Sequence, residues 1–250
     1  MLRIIINGFN GRMGRVIASL VDAADDLTIA AGIDVRMPTH STPFPVFTDI
    51  NDCSEPADAI IDFSLATAAD SVADYAVKSG VPLVLCTTGL SAATVAHISD
   101  AAKSVAILRS ANMSLGINLI GRILPLLTEK LADSGFDVEI IEKHHNQKID
   151  APSGTALMLA DIIKADRPMD YTYDRTKKRE KRGKSEIGIH AIRGGTIVGE
   201  HTVLFAGRDE TIEITHRISS KEVFAVGAVK AARFLAGKPA GLYTMADVMR

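Results

Sequence analysis

The sequence predicts an α/β protein in two parts: a Rossmann-like parallel sheet, and an α+β region with an open mixed sheet. Three observations predict it. Short β-branched runs alternate with longer helical patterns through the first half of the chain. A glycine-spaced turn, Gly8-Phe9-Asn10-Gly11-Arg12-Met13-Gly14, follows the first of those runs. Past Phe136 the strand-like runs lose their regular intervening helices.

Leu2–Asn7 reads as a buried strand. Gly11–Ala24 reads as a helix with Val16, Ile17, Leu20 and Val21 on one face. Leu27–Asp34 and Ala59–Phe63 are the second and third strands. The helical stretch Ala66–Ser79 stops at Gly80, and Pro82–Cys86 is the fourth strand. Ser91–Lys103 is helical and Val105–Arg109 is the fifth strand. Such alternation calls for parallel strands covered by helices.

Leu115–Ala132 is a long apolar helix, with Pro125 predicting a kink or a break. Strands are expected at Val138–Lys143, Gly188–Arg193, His201–Ala206 and Glu210–Ile218. One helix, Thr155–Lys164, interrupts them, and Gly194-Gly195 and Gly207 supply turns. Lys221–Ala236 is helical again, and the tail Leu242–Met249 returns to the first domain. Residues 1–113 with 224–250 are therefore expected to form one domain, and residues 114–223 a second, inserted one.

Bulk properties narrow the function. Of 250 residues, 47% are apolar and 23% charged, and the formal net charge is −2. That balance speaks against nucleic acid or an anionic membrane as partner. Cys53 and Cys86 form no CxxC and no disulfide framework, which suits a reducing compartment. No apolar run approaches the roughly 20 residues needed to span a bilayer. The opening apolar run is too short for a signal-peptide core. A cytoplasmic protein is expected.

The G-x-x-G-x-x-G turn joins a strand to a helix start. That arrangement lets backbone approach a pyrophosphate and turns helix N–H groups towards its charge. Asp34, at the end of the second strand, is placed to accept from ribose hydroxyls. The turns Cys86-Thr87-Thr88-Gly89 and Ser110-Ala111-Asn112-Met113 fall beyond later strands, where ligands of open parallel sheets bind. Ordinary turn chemistry would explain them equally well.

The stretch from Glu142 to Ala156, EKHHNQKIDAPSGTA, carries the chemistry. It leaves a strand with His144 and His145, adds Lys148, and enters a helix through Ser153-Gly154-Thr155. A helix start rich in hydroxyls suits a carboxylate. Histidine is the usual general acid near neutral pH, and Lys148 adds positive charge. A solvated turn and a plain helix cap are the bland alternatives. The spacing favours no metal. His190, His201 and His216 are expected to pack or lie on a sheet surface. The basic run 175–184, without aromatics, reads as a solvated loop.

These residues resemble the bacterial 4-hydroxy-tetrahydrodipicolinate reductases, formerly called dihydrodipicolinate reductases. The matching pieces are Gly8–Gly14, Ile61-Asp62-Phe63-Ser64, Thr87-Thr88-Gly89, Ser110–Asn118, Glu142–Thr155, Arg193-Gly194-Gly195 and Gly199-Glu200-His201-Thr202. They span nearly the whole chain, and HH-x-x-K-x-D-A-P-S-G-T is the specific one. The resemblance implies hydride transfer from NADH or NADPH to a small cyclic imine dicarboxylate, with loss of water, in lysine and diaminopimelate biosynthesis. It implies His144 as proton donor and acceptor and Lys148 as second donor. His145, Lys148, Ser153, Gly154 and Thr155 become substrate contacts. Gly8, Phe9, Asn10, Gly11, Arg12, Met13, Asp34, Cys86, Thr87, Thr88, Ser110, Ala111, Asn112 and Met113 become cofactor contacts. It also implies a homotetramer formed through the second domain.

The sequence departs from the family at Cys86, where many relatives have glycine. Ser64 replaces a common threonine. Val35 follows the ribose acid where relatives often carry arginine, with Arg36 one place later. Asp34 would repel a 2′-phosphate, which favours NADH. A different dehydrogenase would not need the His-His-Lys pocket, and a nucleotide-sensing regulator would place its weight on residues 175–184.

Overall fold

The computed structural model describes residues 1–39, 41–132, 134–165 and 167–250. In chain order, strand β1 (Leu2–Asn7) leads into helix α1 (Arg12–Asp22). Strands β2 (Leu27–Ile33), β3 (Val46–Phe47) and β4 (Ala59–Asp62) follow, then α2 (Ala69–Ser79), β5 (Leu83–Leu85), α3 (Ala92–Ala101) and β6 (Ala106–Arg109). Next come α4 (Leu115–Ala132), β7 (Asp137–His144), α5 (Gly154–Lys164), β8 (Asp170–Thr172), β9 (Glu186–Arg193), β10 (Gly199–Ala206) and β11 (Thr211–Ile218). The chain then runs through α6 (Glu222–Leu235), β12 (Gly241–Tyr243) and α7 (Met245–Val248). It divides into two compact units, Met1–Leu115 with Glu222–Arg250, and Gly116–Lys221.

The first unit holds a seven-stranded parallel sheet in the order β12-β6-β5-β4-β1-β2-β3. Period-two alternation along β1 divides its side chains between two cores. Ile4 and Ile6 enter one with Ile17 and Val21 of α1 and the small residues Ala225, Ala228 and Ala232 of α6. Ile5 enters the other with Val72 and Tyr75 of α2 and Ile98 of α3. Each such fully buried aliphatic side chain contributes roughly 1.5–3 kcal/mol, so strands apolar on both faces suit a sheet covered on both sides. The two-residue β3 carries too little pattern to be read from sequence.

The second unit holds a mixed five-stranded sheet in the order β11-β10-β7-β9-β8. β7 and β11 flank β10 antiparallel, whereas β9 runs parallel to both β7 and β8. Val138 and Ile140 of β7, Ile187 and Ile189 of β9, and Val203 and Phe205 of β10 share one core. Ile117, Ile120 and Leu124 of α4 and Leu159 and Ile163 of α5 complete it. Of the kink or break expected at Pro125 the break does not occur: helix α4 runs through it. Its buried residues Ile117, Ile120, Leu124 and Thr128 recur at helical spacing. Packing of that face holds the helix despite the missing N–H.

The basic run 175–184 is a largely exposed loop, as expected, but acids on two strands hold three of its side chains. Arg182 donates to Glu139 at 2.9 Å, to Asp137 at 2.8 Å and to the carbonyl oxygens of Val138 and Glu186. Arg175 and Lys178 both pair with Glu186. Acids on β7 and β9 thus fix three of its side chains by charge-assisted bonds, and those that hold Arg182 lie 43 and 45 residues away in sequence.

Candidate active site

In the first unit, the glycine turn and the end of β2 border a cleft of about 730 Å³. Gly8, Asn10, Gly11 and Asp34 line it together with Arg36 and Ser64, as do Arg15, Thr67 and Ser71, which the sequence reading had not singled out. Gly8 has φ +82°, and a Cβ there would sit 2.7 Å from the carbonyl oxygen of Phe63. A Cβ on Gly14 would strike the Gly8 carbonyl oxygen. Both positions therefore require glycine for close backbone approach. Gly11 caps α1 without a side-chain acceptor, so no side chain of the cap competes for the helix N–H groups.

Asp34 shapes this turn. Its two oxygens accept from the backbone N–H groups of Asn10 (2.9 Å) and Arg36 (3.1 Å). Phe9, by contrast, is core: its ring meets Phe44 edge-on at 5.2 Å, which leaves only its backbone for a ligand. Met13 packs against the same core, and Met113 is buried in it. Arg12 is exposed.

Cys86, Thr87, Thr88 and Ser110–Met113 lie outside the cleft lining, after β5 and β6. Thr87 donates to the fully buried Asp62 at 2.6 Å. Asp62 also accepts from Asn7 (2.7 Å) and from the hydroxyl and N–H of Ser64 (2.6 and 3.3 Å). Burial pushes its carboxyl up, and these neutral donors only partly oppose the shift. The Cys86 thiol is pushed up for the same first reason, burial. Ser110 donates to the Asn112 carbonyl at 2.8 Å, closing its turn. Thr88 and Ala111 are exposed.

The second unit gathers the chemistry-bearing residues. On β7, Val138, Ile140, Glu142 and His144 share the buried phase of the strand. Apolar residues fill that phase until its end, where Glu142 and His144 take over. His144 Nδ1 lies 2.6 Å from Glu142 Oε2. Arg193, at the end of β9, donates Nη1 and Nη2 to the two oxygens of Glu142, each at 2.7 Å. The Ser153 N–H adds a fourth bond, 3.0 Å to Oε1. Arg193 also donates to the Asp150 carbonyl at 2.7 Å, tying down the loop that carries Lys148. Among these partners only Arg193 lies far away in sequence.

Ser153 caps α5 by accepting from the Ala156 N–H at 3.2 Å. Its hydroxyl also meets His201 Nε2 at 2.8 Å, and the His201 and His144 rings pack edge-on at 5.1 Å. His201 packs, as expected, but it also joins the polar cluster through Ser153. Register places it opposite Glu142 across the β7–β10 ladder, on the face that bears His144. Burial pushes its pKa down to about 4, and His144 nearby adds to the effect. Burial also lowers His144, and Glu142 opposes that shift. Glu142 lies below the usual carboxylate range: burial would raise it, but Arg193, His144 and the Ser153 N–H outweigh burial. Lys148 pairs with Asp150 at 2.9 Å. His145 is half-buried just past β7, and Gly154 and Thr155 open α5. Among the described residues, no group of three His, Cys, Asp or Glu side chains is arranged to hold a metal.

Two family models cover nearly all of the chain. The N-terminal model for dihydrodipicolinate reductase matches residues 2–113, and the C-terminal one residues 116–249. The chain belongs to the dihydrodipicolinate reductase family. The 4-hydroxy-tetrahydrodipicolinate reductase of Caldanaerobacter subterraneus subsp. tengcongensis is 48% identical over 252 residues, covering 100% of this chain and 99% of its own. That of Clostridium tetani is 49% identical, covering 98% and 96%. Among solved structures, dipicolinate-bound dihydrodipicolinate reductase from Paenisporosarcina sp. TG-14 superposes with a TM-score of 0.83 at 22% identity over 100% of both chains. A probable dehydrogenase from Thermotoga maritima reaches 0.62 at 13% identity, covering 99% of this chain and 92% of its own. These two structural likenesses speak to the fold.

Proposed function

We infer that the chain carries out the reaction its relatives are named for: it reduces 4-hydroxy-tetrahydrodipicolinate to tetrahydrodipicolinate, with loss of water, in lysine and diaminopimelate biosynthesis. The observation that carries the residue assignment is the cluster of His144, Glu142, Ser153 and Arg193 beside the Lys148 loop. His144 gives and takes the proton. Lys148 is the second donor and balances substrate charge. His145, Lys148 and the α5 start at Ser153, Gly154 and Thr155 bind the carboxylates, where helix N–H groups favour anions.

The nucleotide fits the cleft of the first unit, because Gly8 and Gly14 leave no room for side chains and Gly11 leaves α1 free of a side-chain cap. Gly8–Met13 would hold the pyrophosphate, Asp34 the ribose, and Cys86–Thr88 with Ser110–Met113 the nicotinamide end. When bound, the reduced nicotinamide supplies the hydride. Residues 1–113 with 224–250 form the nucleotide domain of this reading, and residues 114–223 the substrate and tetramer domain. The sheet face opposite the core carries Lys143, Glu200 and Arg217, joined in one ion network. Thr202 and Thr215 meet there at 2.9 Å. This ordered polar face is the one we assign to the homotetramer. No described helix is long and apolar enough to cross a membrane, and the pathway places the enzyme in the cytoplasm.

A coupled assay tests the reaction: the preceding synthase makes the substrate, and loss of reduced-nicotinamide absorbance is followed. Synthase-dependent oxidation is expected, with His144→Ala and Lys148→Ala each slower by roughly a hundredfold. Wild-type turnover in both variants would remove the assignment. NADH is the favoured cofactor, since Asp34 presents a carboxylate where NADPH carries its 2′-phosphate. Asp34→Ala should weaken NADH more than NADPH in titrations by nucleotide fluorescence. An unchanged ratio takes Asp34 out of the ribose site.

A further inference from the structure

Glu142 has no accessible surface, yet it lies at the centre of the second unit's cluster. An ionised carboxylate offers about four lone-pair sites. Here all four are taken: Oε2 accepts from His144 Nδ1 and Arg193 Nη1, and Oε1 from Arg193 Nη2 and the Ser153 N–H. No acceptor capacity is left for a substrate. Glu142 therefore acts only through its neighbours. The paired fork of Arg193 also blocks rotation of the carboxylate.

We propose that Glu142 is a positioning residue for the reductase reaction: it accepts the Nδ1 proton of His144, so that Nε2 is the atom that exchanges a proton with substrate, and through the Ser153 N–H it fixes the start of α5 beside that ring. The proposal rests on the reading of His144 as the proton donor. A carboxylate without a proton of its own requires the ring to be the donor at Nδ1, which selects one tautomer. The charge of Glu142 also favours the imidazolium. Around His144 the other groups work against it or stay neutral. Lys148 on the loop and Arg193 at the end of β9 disfavour a second positive charge. His201 on β10 is uncharged near neutral pH, and His216, opposite it on β11, is also lowered by burial. Asp150 is paired with Lys148. Glu142 is thus the carboxylate that keeps the ring protonatable.

The test is ¹⁵N NMR of the histidine rings in the full chain, with pH profiles of kcat/KM measured alongside. In the wild type, neutral His144 should carry its proton on Nδ1. In Glu142→Gln, its midpoint should fall by about one unit, and the alkaline limb of kcat/KM should move to lower pH by the same amount. Turnover above that limb should drop about tenfold. Glu142→Asp keeps the charge and should restore most of the midpoint. A wild-type ring protonated on Nε2 overturns the proposal, and so does an unmoved midpoint in Glu142→Gln. If Glu142→Gln does not fold, the wild-type tautomer decides alone. Failure of the underlying reading looks different: His144→Ala would keep its turnover while the wild-type tautomer stayed as expected.

Discussion

Asp62 in the first unit and Glu142 in the second are both fully buried near the carboxyl end of a strand, but their donors differ in kind. Asp62 is met by an amide, two hydroxyls and one backbone N–H, all neutral. Glu142 is met by a guanidinium and an imidazole as well as a backbone N–H. Neutral donors join the ends of β1, β4 and β5 but leave the carboxyl above its usual range. Charged donors pull Glu142 below its usual range and keep it ionised. The first arrangement holds backbone turns in place, and the second holds a charge in place.

The largest expected effect separates the two by stability. Glu142→Ala leaves the half-buried Arg193 guanidinium without its carboxylate and should cost about 3 kcal/mol in urea denaturation. Removing a carboxylate that faces a cation is worse than neutralising one that faces hydroxyls, because hydroxyls can turn. A loss below about 1 kcal/mol would show that Arg193 finds water instead.

The next effect is acid sensitivity. His201 has a folded pKa of about 4, below its ordinary value of 6.5. The unfolded chain therefore takes up a proton that the folded chain refuses. Stability is full above about pH 6.5 and falls by about 3 kcal/mol as the pH drops to 4. Glu142, with its lowered pKa, adds a loss at lower pH still. Asp62 has the opposite sign: its raised pKa means that protonation on acidification favours the folded state. Thermal melts across this range should show a steep acid slope, reduced in His201→Asn. An equal slope in that variant would place the acid sensitivity elsewhere.

The smallest effect is Asp62→Asn, expected to cost about 2 kcal/mol because one donor of the network then faces an N–H₂ group. A cost equal to that of Glu142→Ala would erase the distinction drawn between the two carboxylates.

Much of this was legible in the sequence. The β1–α1 turn announced itself through Gly8 and Gly14, and the parallel sheet through its alternating runs. The His144–Thr155 stretch was local, so its residues could be gathered by reading along the chain. What stayed hidden depended on register. His201 joins Ser153 only because β10 pairs antiparallel with β7. Arg193 reaches Glu142 only because β9 pairs parallel with β7. One signal was present and unused: Glu142 occupies the inward phase set by Val138 and Ile140. A charge in that phase is costly unless paired, so it points to a partner. The strands β3, β8 and β12 were missed because two or three residues carry no periodicity of their own, whereas the equally short β5 is flanked by apolar residues that extend its run. The basic run 175–184 reads rightly as an exposed loop, but its anchoring was hidden because the acids that hold Arg182 lie on β7.

The sheet of the first unit has its strand β12 and helix α6 beyond the whole of the second unit in the chain. Ile4 and Ile6 share their core with Ala225, Ala228 and Leu235, residues that a ribosome adds only after making residues 116–221. At about 5–20 residues per second, β1 waits for roughly 10 seconds or more before the helix that covers it exists. During that interval the inserted unit already has every strand of its own sheet. Order of synthesis and order of completion are thus reversed: the part begun first is finished last, and its half-built apolar face is the stretch of nascent chain most in need of a chaperone.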